Sequence, residues 1–391
     1  MSSSGVQPSQ PQAQASSGAA TLQQHAIAPA MVVRGEGAWA EALPAIAALS
    51  RRPLLLGRST ATNSLREQLA LDLRQAGLEP LGAALRHDCC EVDLQPLAEQ
   101  ARAAGCDAVL AAGGGKVLDA GKLLAHRLGL ACITVPTSAA TCAGWTALAN
   151  IYSPDGAFER DVALDRCPDL LVFDHALVRQ APARTLASGI ADAMAKWYEA
   201  SVSSGASRDG LVQQAVQQAR VLRDQLLLEG AGALAEPGGD AWVRVAEASA
   251  LTAGLIGGIG GARCRTVAAH AVHNGLTQLQ ATHGVLHGEK VGFGILVQLR
   301  LEEVVGGNRL AAQARRQLLP FFAQLDLPVS LADLGLAEAS LSELEEVCTF
   351  SCRPGSDLHH LPFPVEPTDL LAALVSTTAT GETAAGAARQ A

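Results

Sequence analysis

The sequence predicts two halves of different class, a parallel α/β half up to about residue 180 and an all-helical half after it. Three observations carry this. Short β-rich runs alternate with helical stretches from about residue 28 to 180. No strand-like run follows Pro182, where only helical periodicity remains. Between them, residues 107–125 (DAVLAAGGGKVLDAGKLLA) read as a buried strand, three glycines and a helix.

Taken in order, residues 1–27 are mostly Ser, Gln, Ala and Pro, with little to bury, and are expected to form a disordered tail. Strands are expected at 31–33 (MVV), 53–57 (PLLLG), 107–115, 131–136 (ACITVP) and 169–174 (DLLVFD). Pro182 suits a first helical turn and marks the boundary. Helices are expected at 209–228, 240–255, 265–279 and 287–304, and a second polar tail at the C-terminus. The expected organisation is therefore a tail over 1–27, an α/β domain over 28–180, a helical domain over 181–378 and a tail over 379–391.

Composition narrows the function. The chain of 391 residues can bury a substantial core, and its 49% apolar content with 38 Gly and few aromatics suits closely packed helices. A net charge of −9 without a basic run argues against nucleic acid or an anionic membrane as partner. Apolar stretches stop short of the roughly 18–20 residues needed to cross a bilayer, and the N-terminus lacks the basic start and apolar core of a signal peptide. The nine cysteines form no disulfide framework or zinc pattern, which fits reduced thiols in a cytoplasmic enzyme.

Residues 268–294 concentrate His270, His273, His283 and His287 among small and apolar residues. Neutral imidazole is the commonest side-chain ligand of divalent transition metals, so a metal is the leading explanation, set against hydrogen-bonded core histidines. His270 and His287 are too far apart for one helical turn but suit facing helices. The best third ligand is Asp192, one turn into the apolar run 189–200 (GIADAMAKWYEA); its other reading is an exposed acid complementing a helix dipole. The three glycines, followed by Lys116 and Asp119, form either an anion site at a helix start or an unliganded tight turn.

Four motifs together resemble the iron-containing alcohol dehydrogenase superfamily: GGGKVLDAGK at 113–122, VPTSAATCAGWTALANIYSPDG at 135–156, GIADAMAKWYEA at 189–200, and AAHAVHNG followed by HGEKVGFGILVQL within 268–299. Within it they are similar to the glycerol dehydrogenase branch, most of all its hydroxycarboxylate (2-oxoacid-reducing) members. The resemblance implies a Rossmann-like NAD(P)-binding domain, an all-α metal-binding domain and a metal in the cleft between them. It implies Asp192, His270 and His287 as ligands of Zn²⁺ or Fe²⁺. Gly114, Gly115, Lys116 and Asp119 match the pyrophosphate and nicotinamide-side loop, and Thr137, Thr146, Leu148 and Tyr152 match further cofactor contacts. Members are commonly dimers or higher assemblies, so a homo-oligomer is expected.

Two departures bear on specificity. Cys142 stands where glycerol dehydrogenases carry an aspartate that binds polyol hydroxyls, and a thiol removes that acceptor and its charge. Arg58, just after the 53–57 strand, stands where NAD-using relatives place an acid, which favours NADP(H) over NAD(H). Their plainer readings are a packing cysteine and a solvated loop cation. The expected activity is hydride transfer between NAD(P)H and a small 2-oxoacid or 2-hydroxyacid, with glycerol oxidation as the alternative. His273 is a candidate proton relay or a helix-packing residue, and Lys122, Lys196 and Arg265 are all candidates for holding a substrate carboxylate. A phosphate-eliminating relative of the dehydroquinate synthase type would need a basic cluster that the helical half lacks.

Overall fold

The computed structural model describes residues 24–388, with side chains through residue 377 apart from residue 263. The remainder of both expected tails, residues 1–23 and 389–391, lies outside the described residues. Among the described residues there are eight strands: β1 (Met31–Gly35), β2 (Pro53–Gly57), β3 (Leu81–Ala84), β4 (Ala108–Gly113), β5 (Ala131–Pro136), β6 (Leu148–Tyr152), β7 (Phe158–Ala163) and β8 (Leu170–Asp174). Six of them form one parallel sheet in the order β1-β8-β5-β4-β2-β3. The helices of this half are α1 (Ala38–Leu49), α2 (Asn63–Gln75), α3 (Glu91–Ala103) and α4 (Gly115–Leu128).

The sheet forms because its central strands are apolar on both faces, as a sheet covered by helices on both sides requires. Leu55, Leu110, Ile133 and Leu170 lie in one cross-strand row, packed with Trp39, Ile46 and Leu73. Leu54, Leu56, Val109 and Ala111 fill the opposite face. The order in which the chain adds strands to the sheet reverses between β2 and β4, so the C-terminal ends of these two parallel strands, at Gly57 and Gly113, border the crevice where open α/β sheets bind ligands.

Everything after β8 is helical among the described residues: α5 (His175–Val178), α6 (Ala183–Ser204), α7 (Gly210–Ala235), α8 (Asp240–Glu247), α9 (Ala253–Gly260), α10 (Ala268–Leu276), α11 (His287–Val304), α12 (Arg309–Gln324), α13 (Leu341–Ser351) and α14 (Pro367–Ala388). None is long and apolar enough to cross a membrane. Helices α6, α10 and α11 pack against one another at the centre.

Three features depart from the expectation. Strand β3 (LGAA) and the antiparallel hairpin β6–β7 carry little β-branched signal and arise from pairing. The hairpin also ties the halves together: the Phe158 amide donates to Thr277 Oγ1 at 2.9 Å and Gln278 Nε2 to the Phe158 carbonyl at 3.1 Å. At the ends, the Ala26 and Ile27 carbonyls accept from Cys167 Sγ and Trp145 Nε1, so the chain is packed before residue 28, and α14 continues through the stretch expected as a tail.

Candidate active site

Helix α6 brings three polar side chains onto one face of an apolar helix, Asp192, Lys196 and Glu199, at i, i+4 and i+7. All three are buried. Two glycines let the neighbouring backbones close on this helix. A Cβ at Gly288 would lie 1.8 Å from the Ser188 carbonyl oxygen, and one at Gly189 would lie 1.9 Å from that of Ala139. The first contact places the start of α11 directly against α6, held by a 3.0 Å bond from the Gly288 amide to Ser188 Oγ. The second seats α6 on the loop after β5.

That packing sets His287, the first residue of α11, opposite Asp192. His270 arrives from α10. Asp192 Oδ1 is 3.3 Å from His287 Nε2 and 3.4 Å from His270 Nε2, and one ligand atom from each of the three residues lies within 4.8 Å of the others. Oδ1 is buried yet accepts no hydrogen bond. An orphaned carboxylate oxygen facing two imidazole nitrogens is costly unless a cation fills the space between them, so these residues fit a divalent metal. Burial alone would raise the Asp192 pKa, but the two imidazoles hold it well below the usual carboxylate range.

Glu199 orients the set. Its Oε2 accepts from His270 Nδ1 at 2.7 Å, and its Oε1 accepts the amides of Val267 at 2.7 Å and His270 at 3.0 Å. A carboxylate on Nδ1 assigns the proton there and leaves the Nε2 lone pair toward Asp192, the arrangement that supports metal-bound histidines. Burial lowers the His270 pKa, yet Glu199 and Asp192 outweigh it and raise it to about 9, so near neutral pH the ring holds a second proton on Nε2, which a cation bound there would displace. The sequence reading missed Glu199, although its spacing from Asp192 carried the signal.

The three residues stand on the wall of a cavity of about 1170 Å³ that runs across the C-terminal ends of β2 and β4. Gly114 and Gly115 open α4 with no side-chain cap, which leaves that helix start available to an anion. A Cβ at Gly115 would press within 2.9 Å of Thr141 Oγ1. Lys116 lies 4.7 Å from the centroid of the Tyr152 ring. Thr137, Thr146, Leu148, Tyr152 and Asp119 line the same cavity. Asp119 accepts the Asn150 amide at 3.2 Å and pairs with Lys122 at 3.0 Å.

Arg58 and Lys116 both pair with the buried Asp88, a partner the sequence reading had not identified. Cys142 is on the cavity wall, and burial pushes its thiol pKa up, so it stands neutral. His273, the candidate proton relay or helix-packing residue, takes a packing position. It does not line the cavity but packs behind the site, its ring centroid 4.2 Å from that of His287 and Nδ1 at 2.9 Å from Asn274 Oδ1. Burial, with His287 alongside, drives its pKa well down. A second cluster, His87, Cys90 and Asp93, also groups ligand atoms, but Asp93 is occupied by the Arg86 and His87 amides and by His87 Nδ1, so it locks the turn before α3.

With this geometry in place, comparison with known proteins decides the family. The profile described as iron-containing alcohol dehydrogenase matches residues 29–175. An uncharacterized oxidoreductase of Synechocystis is 55% identical over 90% of this chain and 91% of its own. The chain belongs to the iron-containing alcohol dehydrogenase family. A glycerol dehydrogenase of Pseudomonas putida is 36% identical over 81% of this chain and 85% of its own, and hydroxycarboxylate dehydrogenase A of Escherichia coli is 36% identical over 74% and 79%. The crystal structure of a probable glycerol dehydrogenase from Sinorhizobium meliloti superposes with a TM-score of 0.81 at 29% identity, covering 91% of this chain and 98% of that one. This member is an oxidoreductase of small molecules built on the same two-part fold.

Proposed function

We propose that this oxidoreductase interconverts small 2-oxoacids and 2-hydroxyacids with NADP(H), using a divalent metal, Zn²⁺ or Fe²⁺, held by Asp192, His270 and His287. The observation that carries the reading is the convergence of these three donors, with an orphaned oxygen, on the cavity that also contains the glycine-rich start of α4. When bound, the metal supplies Lewis acidity toward the substrate oxygen and the nicotinamide supplies or accepts the hydride.

The chain's own residues do the rest. Glu199 keeps His270 in the donor-ready tautomer. The uncapped helix start at Gly114–Gly115, with Lys116, would hold the pyrophosphate, and Thr137, Thr146, Leu148 and Tyr152, on the same cavity wall, would hold the rest of the cofactor. Arg58, Lys116 and Asp88 sum to one positive charge, which suits a 2′-phosphate; Arg86, just beyond β3, lines the same cavity but pairs with Asp93 at 3.5 Å.

The substrate class rests on Cys142. Similarity weighs equally for glycerol and hydroxycarboxylate dehydrogenases, 36% for each. A neutral, buried thiol offers a polyol only a weak acceptor and a substrate anion no repulsion. The test is oxidation of NADPH and NADH by metal-loaded protein with 2-oxobutyrate and with dihydroxyacetone. A higher kcat/KM for 2-oxobutyrate with NADPH, abolished in Asp192→Ala, is expected; preference for dihydroxyacetone with NADH assigns the chain to glycerol instead.

A further inference from the structure

Resting on that reading, we propose that Lys196 and Arg265 form the subsite that binds the substrate carboxylate, which makes the substrate an anionic 2-oxoacid and not a neutral ketone. Both side chains line the cavity on the side of the Asp192 triad. Lys196 follows Asp192 by one turn of α6, about 5–6 Å between Cβ atoms, which matches a carbonyl oxygen at the triad with its neighbouring carboxylate at the ammonium. The Lys196 side chain is buried, yet its three N–H donors meet a single hydrogen-bond acceptor among the described residues, the Arg265 carbonyl at 3.3 Å. The Arg265 guanidinium has no ion-pair or hydrogen-bond partner among the described residues, although it stands within electrostatic reach of Lys196. A buried and a half-buried cation brought together on one wall, with spare donors, are an anion site in waiting.

Asp192 and Glu199 also act on Lys196 through their charge, but neither forms an ion pair or hydrogen bond with its ammonium among the described residues. Lys122, the third cation of the motif region, is consumed: its ammonium meets Asp119, the Thr146 carbonyl and hydroxyl, and the Leu148 carbonyl, and it is absent from the wall. Asp357, a carboxylate on the same wall, lies 3.7 Å from His360 Nδ1, and burial raises its pKa, which favours its neutral form. Lys196 is the charged group that acts most strongly on the Cys142 thiol. A carboxylate at position 142 would therefore neutralise Lys196, and the thiol leaves it free for substrate.

The experiment compares 2-oxobutyrate with 1-hydroxy-2-butanone, which keeps the chain length and ketone but replaces the carboxylate by CH₂OH. Metal-loaded wild type, Lys196→Gln, Arg265→Gln and Cys142→Asp are assayed with NADPH. In parallel, calorimetry measures binding of oxamate, an unreactive 2-oxoacid isostere, to the metal- and cofactor-loaded proteins. Loss of a charge-assisted contact inside a buried site predicts that each variant lowers the oxoacid-to-ketone ratio of kcat/KM by about ten- to a hundredfold, carried mainly in KM, and weakens oxamate by a similar factor. Lys196→Arg and Arg265→Lys are expected to recover part of the loss. The half-buried Arg265 keeps the test decisive where Lys196→Gln does not fold. A wild type that prefers the oxoacid while both Gln variants keep the ratio and the oxamate affinity within twofold overturns the subsite alone. A wild type that reduces the neutral ketone equally well overturns the functional reading and the subsite together.

Discussion

Replacing Glu199 by Gln probes the proposed metal site without touching a proposed ligand. In the native arrangement Oε2 accepts from His270 Nδ1 at 2.7 Å while Oε1 accepts two backbone amides, from Val267 and His270. A carboxylate can accept on both sides; a carboxamide cannot. If the Gln oxygen keeps the two amides, its NH₂ faces Nδ1, the ring must shift its proton to Nε2, and that proton then occupies the direction of Asp192. If the oxygen turns to Nδ1 instead, two amide donors lose their acceptor inside the protein, at about 1–3 kcal/mol for each group. Either route costs metal affinity, and partners of this type are worth about 10–100-fold, or roughly 1.4–2.7 kcal/mol. Competition of the apo-protein against a chromophoric chelator for Zn²⁺ measures the affinity directly, and circular dichroism checks that the variant is folded. A folded Glu199→Gln protein that binds Zn²⁺ within threefold of wild type would refute the reasoning, because the carboxylate would then be irrelevant to the tautomer.

Three further outcomes are expected. Gly288→Ala, whose Cβ would meet the Ser188 carbonyl at 1.8 Å, forces α11 away from α6; overpacking of this kind costs on the order of 1–3 kcal/mol, seen as a lower thermal midpoint together with weaker Zn²⁺ binding. Arg58→Glu reverses the charge at the end of β2 and is expected to lower the NADPH-to-NADH ratio of kcat/KM at least tenfold, checked by initial rates with each cofactor. Lys290, whose ammonium donates to the Thr282 and Val285 carbonyls, is lowered to about 8 by burial and by nearby Lys116. Its folded pKa lies below the ordinary value of 10.5, so the folded state binds the proton less tightly, and stability gains from this group as pH rises from about 8 to 10.5. Thermal midpoints of wild type and Lys290→Met across that range should show a rise that the variant lacks.

The parts of the molecule legible in the sequence are those whose physics is local. Runs such as PLLLG and ACITVP are apolar on both faces, and burial on both sides of a sheet is the economical explanation for them. Strand β3 and the hairpin β6–β7 lack that local signal. LGAA becomes a strand because β2 offers it an edge, and the hairpin is fixed by Thr277 and Gln278, more than a hundred residues away in the chain. The same division runs through the site. The histidines and Asp192 were visible because polar groups in apolar runs demand an explanation, and Glu199 answered the same description seven residues after Asp192. What the sequence left open was which of three cations faces the substrate. In the subsite proposed above, packing makes that choice: Lys122 is turned inward and saturated by the carbonyls of 146 and 148, whereas Lys196 and Arg265 are placed on the wall with donors to spare. Charge alone made the three equivalent, and only the count of acceptors around each ammonium or guanidinium separates a structural cation from one available to a ligand.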